Sequence, residues 1–214
     1  VMDKSAIEIR NEKLAVKVVA ALQSRQFEAY FCESGEQAVE KALSLVDKEM
    51  QIAWGGSATL DRIGLVSRLR SDGYKLIDRS LGKTREEQIE IQRRALLCDT
   101  FFMSANAISE DGQLVNVDGS ANRVAALCYG PKSVIIIAGV NKIARSAEDA
   151  MVRARTKAAP INAQRFGGKT PCTLTGACGD CKSPDCICAQ IVTTRFCKPA
   201  GRIKVIIVGE ELGF

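Results

Sequence analysis

A chain of 214 residues, 46% hydrophobic and 26% charged, has the make-up of one folded α/β-sized domain, which excludes a disordered tail. Its longest apolar run, Val134 to Val140, is too short to span a bilayer, and Lys4, Glu8, Arg10, Glu12 and Lys13 break any basic-then-apolar leader, so a cytoplasmic protein without a membrane partner is expected. The net charge of +5 is uneven: Lys142 to Lys204 carries 12 basic against 4 acidic residues, which points to an anionic partner or to a solvated basic face around a metal–thiolate site.

Residues 1–24 read as an N-terminal amphipathic helix, with Ala6, Ile9, Leu14, Val18 and Leu22 near helical spacing. Phe27 to Cys32 reads as a strand, and Ser34 with Gln37 marks the start of a helix striped by Ala38, Val39, Ala42 and Val46. Gln51 to Trp54 is a strand ending at Gly55-Gly56-Ser57, followed by a helix with Leu60, Ile63, Leu65, Val66 and Leu69 apolar. Tyr74 to Ile77 and Thr100 to Met103 read as strands around a helix from Arg85 to Leu97. The alternation predicts βα units on a largely parallel sheet, a three-layer α/β fold spanning 1–214 as a single domain.

The middle of the chain reads as a hairpin, Ala105 to Ile108 and Gln113 to Val117 around Glu110-Asp111-Gly112, then a turn at Asp118-Gly119. A short helix from Asn122, a buried strand from Ser133 to Ala138, and a helix capped by Ser146 and stopped by Pro160 come next. Periodicity then ceases over 161–199 and returns in the apolar strand Arg202 to Val208, so the cysteine-rich stretch is an insertion before the last strand.

That insertion holds Cys172, Cys178, Cys181, Cys186, Cys188 and Cys197. Thiolates are soft donors and a C-x-x-C turn directs two sulfurs at one ion, so Cys172, Cys178, Cys181 and Cys188 are the expected metal ligands. Zinc and an iron–sulfur cluster both accept four cysteines, and redox-sensing or spare thiols are the competing reading. Disulfides are disfavoured by the expected reducing compartment. Cys32, Cys98 and Cys128 lie in apolar surroundings and are expected in the core.

With no histidine in the chain, acid–base chemistry falls to Asp, Glu, Lys, Tyr or Cys. Gly55, Gly56, Ser57 and Thr59 sit where a strand gives way to a helix, an arrangement that suits an anion and equally an ordinary cap turn. Asn106, Asp118, Asn122 and Arg123 occupy neighbouring strand ends with Lys142. Together they could line one pocket for a small anionic metabolite or phosphorylated ligand, with Arg123 and Lys142 as anion partners, Glu110 as a base, and Glu110 with Lys142 the candidate catalytic pair.

At three stretches the chain resembles the LUD-domain family, the lactate-utilisation group that includes LutC-type proteins: Trp54 to Thr59; Asn106 to Gly112 running on through Asp118 to Arg123; and Gly130-Pro131 through Gly139-Val140-Asn141-Lys142. The cysteine segment looks like the shorter, stand-alone branch of that family. The resemblance implies the fold of ribose-5-phosphate isomerase, glucosamine-phosphate deaminase and coenzyme A transferases, with Ser57 and Thr59 in a phosphate-binding loop and Lys142 at the pocket position after a central strand. It implies a role in organic-acid (lactate-type) or redox metabolism alongside iron–sulfur protein partners. A sugar-phosphate isomerase or CoA-transferase-like enzyme using Glu110 and Lys142 is the first alternative. A metal-stapled nucleic-acid-binding module is the second, and the lack of interleaved aromatics argues against it.

Overall fold

The structure, a computed structural model, describes residues 4–214, so Val1, Met2 and Asp3 of the expected first helix lie outside the described residues. Ser5 starts that helix, α1 (Ala6–Ser24): its hydroxyl accepts the Glu8 amide while the Glu8 carboxylate accepts the Ser5 amide at 2.7 Å, satisfying two orphan donors reciprocally. The chain continues as β1 (Glu28–Cys32), α2 (Gly35–Leu43), β2 (Gln51–Trp54), α3 (Ala58–Arg62), α4 (Leu65–Ser71), β3 (Lys75–Ile77), α5 (Arg85–Ala95) and β4 (Thr100–Met103). The second half comprises β5 (Ala107–Ser109), β6 (Leu114–Asp118), α6 (Asn122–Cys128), β7 (Ser133–Gly139), β8 (Ile143–Ala144), α7 (Ala147–Arg153), α8 (Ala159–Ala163), α9 (Pro171–Thr175), β9 (Gln190–Thr194) and β10 (Ile203–Val208).

Six strands form one parallel sheet in the order β1-β10-β7-β4-β2-β3. Because both faces are covered, its central strand β7 reads as a nearly unbroken apolar run, with Val134 to Ala138 fully buried. One face packs Val18 and Leu22 of α1 with Ala126 and Leu127 of α6; the other packs Val39 of α2, Leu60 of α3 and Leu69 of α4. The expected three-layer α/β architecture is therefore what the chain adopts. A second sheet, β8-β5-β6-β9, stands beside it and packs Val115 and Val117 against Ala150 and Ala154. None of the described helices is long and apolar enough to cross a membrane.

Three elements differ from their sequence-based expectation. The helix after β2 is broken at Gly64, whose φ of 73° no helical residue adopts, and so becomes α3 and α4. Pro160 does not end the helix begun at Ala147. Residues 154–158 form a π-turn, and Pro160 sits in the first turn of α8 beyond it, where its missing N–H costs little. Residues 161–199 are also more ordered than a loop: Thr170 caps α9, and β9 pairs antiparallel with β6.

The β5–β6 turn docks on α1 through Gly112, whose φ is +85° and whose missing Cβ would lie 2.7 Å from Ala21 C and Leu22 N. Both neighbours are helix backbone beside the buried Leu22 and cannot readily yield. Gly112→Ala is expected to cost about 2–4 kcal/mol in a urea melt, combining left-handed strain with a backbone clash. A loss below ~0.5 kcal/mol would show that the turn is free to lift off.

Candidate functional site

A cavity of about 1060 Å³ opens at the carboxyl ends of the adjacent strands β2, β4 and β7, the edge where open α/β sheets take ligands. Each strand end delivers one polar group. After β2 comes Thr59 on α3, after β4 comes Ser104, and after β7 a single 3-10 turn carries Lys142. Lys142 is only 4% exposed, and its ammonium donates to Ser104 Oγ at 2.8 Å and Thr59 Oγ1 at 3.0 Å. No carboxylate pairs with it among the described residues. Burial first, then the Arg153 and Arg123 cations, push Lys142 down from 10.5 to about 7.

Arg123 is the second buried cation. Its guanidinium donates to Ser104 O at 3.0 Å, Asn116 Oδ1 at 3.3 Å and Asn106 Oδ1 at 3.2 Å, with a further bond to Val117 O. Burial pulls it below the usual guanidinium value, and Asp118 opposes that pull from 3.6 Å. Asp118 in turn accepts the amides of Ser120, Ala121, Arg123 and Val124 at 3.1–3.3 Å, which holds the turn into α6. The Asn106–Asp118–Arg123 group is thus a clamp whose bonds are largely spent within the protein. Gly55 makes room for it, since a Cβ there would lie 2.8 Å from Arg123 Cδ.

The cavity wall is strongly basic, with six basic side chains against two acidic ones. Beyond Lys142 and Arg123 these are Arg79, Arg85, Arg93 and Arg165. Arg79 lies on the glycine loop, its Nη2 occupying the space 2.6 Å from where a Gly56 Cβ would stand. Of the two carboxylates, Asp118 is held by the clamp and Asp185 accepts the Lys169 amide at 3.1 Å.

The sequence model of the LUD domain matches residues 15–208, nearly the whole chain. The chain belongs to the LUD-domain family. A solved DUF162-family protein from Deinococcus radiodurans has the same fold at 13% identity, with 92% of this chain and 98% of that chain covered and a TM-score of 0.53. A weaker likeness, TM-score 0.32 at 19% identity, covers 49% of this chain and 46% of eIF2B delta from Chaetomium thermophilum. No curated protein matches the chain.

In this LUD domain the expected residues Gly56, Ser57, Thr59, Asn106, Asp118, Asn122, Arg123 and Lys142 all line the one cavity, and Gly55 backs it. Ser57 also caps α3, its hydroxyl accepting the Leu60 amide at 3.3 Å. Glu110 does not join them. It sits on the β5–β6 turn, ion-paired with Lys17 of α1 at 2.6 Å, because the hairpin folds its tip away from the sheet's carboxyl edge. Ser104 and the arginines Arg79, Arg85 and Arg165 were not singled out by the sequence. Ser104 carries a positional signal, a hydroxyl directly after the apolar strand Thr100–Met103, whereas the arginines come from elements with no motif.

The cysteine segment forms part of the same cavity wall through Asp185, Cys186 and Ile187, the last two packing on Gly119. Cys172, Cys178, Cys181, Cys186 and Cys188 are all half-buried free thiols. Burial, above all, raises the Cys188 thiol. Among the described residues, no three of these cysteines stand close enough together to hold one ion. The donor chemistry suits a soft metal, and the spacing in this structure is wider than such a site. Cys197 is instead a core residue, donating to Pro199 O at 3.2 Å and accepting the Ile203 amide at 3.3 Å. Cys32 and Cys98 are buried as expected, but Cys128 is exposed, since it closes α6 on the outer face.

Proposed function

We propose that this LUD-domain protein serves organic-acid (lactate-type) or redox metabolism by binding a small anionic or phosphorylated ligand in the basic cavity. The observation that carries the reading is Lys142: a buried cation with two hydroxyl partners and no carboxylate, at the floor of a cavity rimmed by arginines. Such a floor supplies charge-assisted donors to an anion, and the rim raises its local concentration. Isothermal titration with inorganic phosphate, L-lactate and ribose 5-phosphate tests it. At least one is expected to bind, and Arg79→Ala to weaken it about 10-fold, the loss of one charge-assisted bond at ~1.4 kcal/mol. Binding of none of them, or equal binding to the variant, would refute it. An isomerase or transferase chemistry that needs Glu110 beside Lys142 is not favoured by their separation.

The cysteine segment is the place where a zinc ion or iron–sulfur cluster would be held, by Cys172, Cys178, Cys181 and Cys188, with the segment drawn in around it. A cluster there would supply one-electron chemistry beside the cavity wall and a means of exchange with iron–sulfur protein partners. Metal analysis and an electron paramagnetic resonance spectrum of anaerobically purified protein decide this. Folded, metal-free, colourless protein would end the proposal.

A further inference from the structure

Lys142 has more chemistry than an anion site requires. The rim already provides three permanently charged arginines, Arg79, Arg85 and Arg165, none of them ion-paired among the described residues. Lys142 is a different kind of group. It is buried in the cavity wall, with no carboxylate at ion-pair distance among the described residues. Two of its hydrogen-bonding directions are taken by the Ser104 and Thr59 hydroxyls, and no third acceptor bonds it among the described residues. Those hydroxyls lie 3.3 Å apart and bond to each other as well, so protons can pass between them. A lysine desolvated beside other cations is the usual setting of an amine nucleophile, and the displaced value of about 7 leaves a large share of it neutral near pH 7.

We infer that Lys142 is a carbonyl-capturing nucleophile, and that the ligand is an aldehyde or ketone carrying an anionic group, held with its anion on Arg79, Arg85 and Arg165 and its carbonyl carbon at Lys142 Nζ. This inference rests on the anion reading above and adds the substrate class to it. In the step, the Nζ lone pair forms a C–N bond while the carbonyl π pair moves to oxygen. That oxygen takes a proton through Ser104 or Thr59, and the amine nitrogen loses one to the same hydroxyl pair. The carbinolamine then loses its hydroxyl with a further proton as one water, which leaves the imine. No electrons are gained or lost, and no co-reactant is required. Ser104 and Thr59 are positioned to shuttle these protons, and the basic wall keeps the anion from drifting to the mouth.

Borohydride trapping followed by peptide mass mapping tests the inference on the wild-type chain. Pyruvate and glycolaldehyde phosphate serve as the anionic probes, one a 2-oxo acid and one a phosphorylated aldehyde, and acetone as the neutral control. The expected result is a borohydride-dependent mass increase on Lys142 with at least one anionic probe, at least 10-fold above that on any exposed lysine and absent with acetone. The peptide should also resist trypsin after Lys142. Lys142→Arg, with its fold checked by circular dichroism, should show no adduct at that position. Adducts spread evenly over exposed lysines, or none at Lys142, overturn the inference. If the same probes bind by titration without trapping, the anion reading survives and the nucleophile does not; if no anion binds, both fall.

Discussion

Replacing Lys142 by methionine is expected to stabilise the folded protein at about pH 6 while weakening anion binding. Burial and the Arg153 and Arg123 cations hold the folded-state value at about 7 against an ordinary 10.5, so the unfolded chain binds this proton more tightly. The penalty is whole below pH 7, shrinks as pH rises from 7 to 10.5, and is gone above it. At ~1.4 kcal/mol per tenfold, it amounts to about 5 kcal/mol at the acid end. Methionine fills the same volume without the charge, and the Ser104 and Thr59 hydroxyls can pair with each other across 3.3 Å. Allowing ~1 kcal/mol for each lost hydrogen bond leaves a net gain of about 2–3 kcal/mol, or about 5–10 °C in Tm. Melts of both proteins between about pH 6 and pH 10 should draw together as pH rises and cross near the alkaline end, where the penalty is gone and only the two lost hydrogen bonds remain. A variant less stable at every pH would mean that the ammonium has a partner this geometry does not contain.

Asp118→Ala carries the opposite expectation. The carboxylate accepts four backbone amides and faces Arg123, so its removal strands a buried guanidinium and unties the turn into α6. Leaving one member of a buried pair unpartnered costs about 3–5 kcal/mol. The variant is therefore expected to melt about 10 °C or more below the wild type. Asp118→Asn should lose less, because one carbonyl oxygen can keep two of those amides. If Asp118→Ala unfolds within ~1 kcal/mol of wild type in urea, Arg123 has found water instead, and the clamp is a surface feature. The two variants separate the two buried cations of the cavity: Arg123 is a paired structural cation, and Lys142 an unpaired one kept at a cost.

Much of the fold was open to reading from local pattern. The β4 strand, Thr100–Met103, and the starts of β2 and β7 fall where β-rich apolar runs place them, and Ser146 caps α7 through the Asp149 amide. Such features depend on the side chains of a few neighbours, which is why a one-dimensional reading finds them. The breaks were harder. Gly64 could be carried in a helix on pattern alone, and Pro160 looks like a stop until the π-turn before it is seen. The order in 161–199 depends on β9 finding β6 some 70 residues away in the chain, a pairing that no local signal encodes.

The site divides in the same way. The glycine loop, the Asp118–Arg123 stretch and Lys142 are visible because each carries an unusual residue at a strand end. Glu110, equally conspicuous in the sequence, belongs to another place, since a turn residue's direction is set by what its hairpin docks on, here α1. Ser104, Arg79 and Arg165 are ordinary residues until the parallel sheet gathers three strand ends and the neighbouring helices into one cavity. Residue type and spacing were enough for the family, the α/β class and the inventory of reactive groups, because each of these is a local property of the chain. That Lys142 is a buried cation without a counter-ion, and that Arg123 is already spoken for, emerged only from the folded chain. Charge partnering is a matter of distances between residues far apart in sequence.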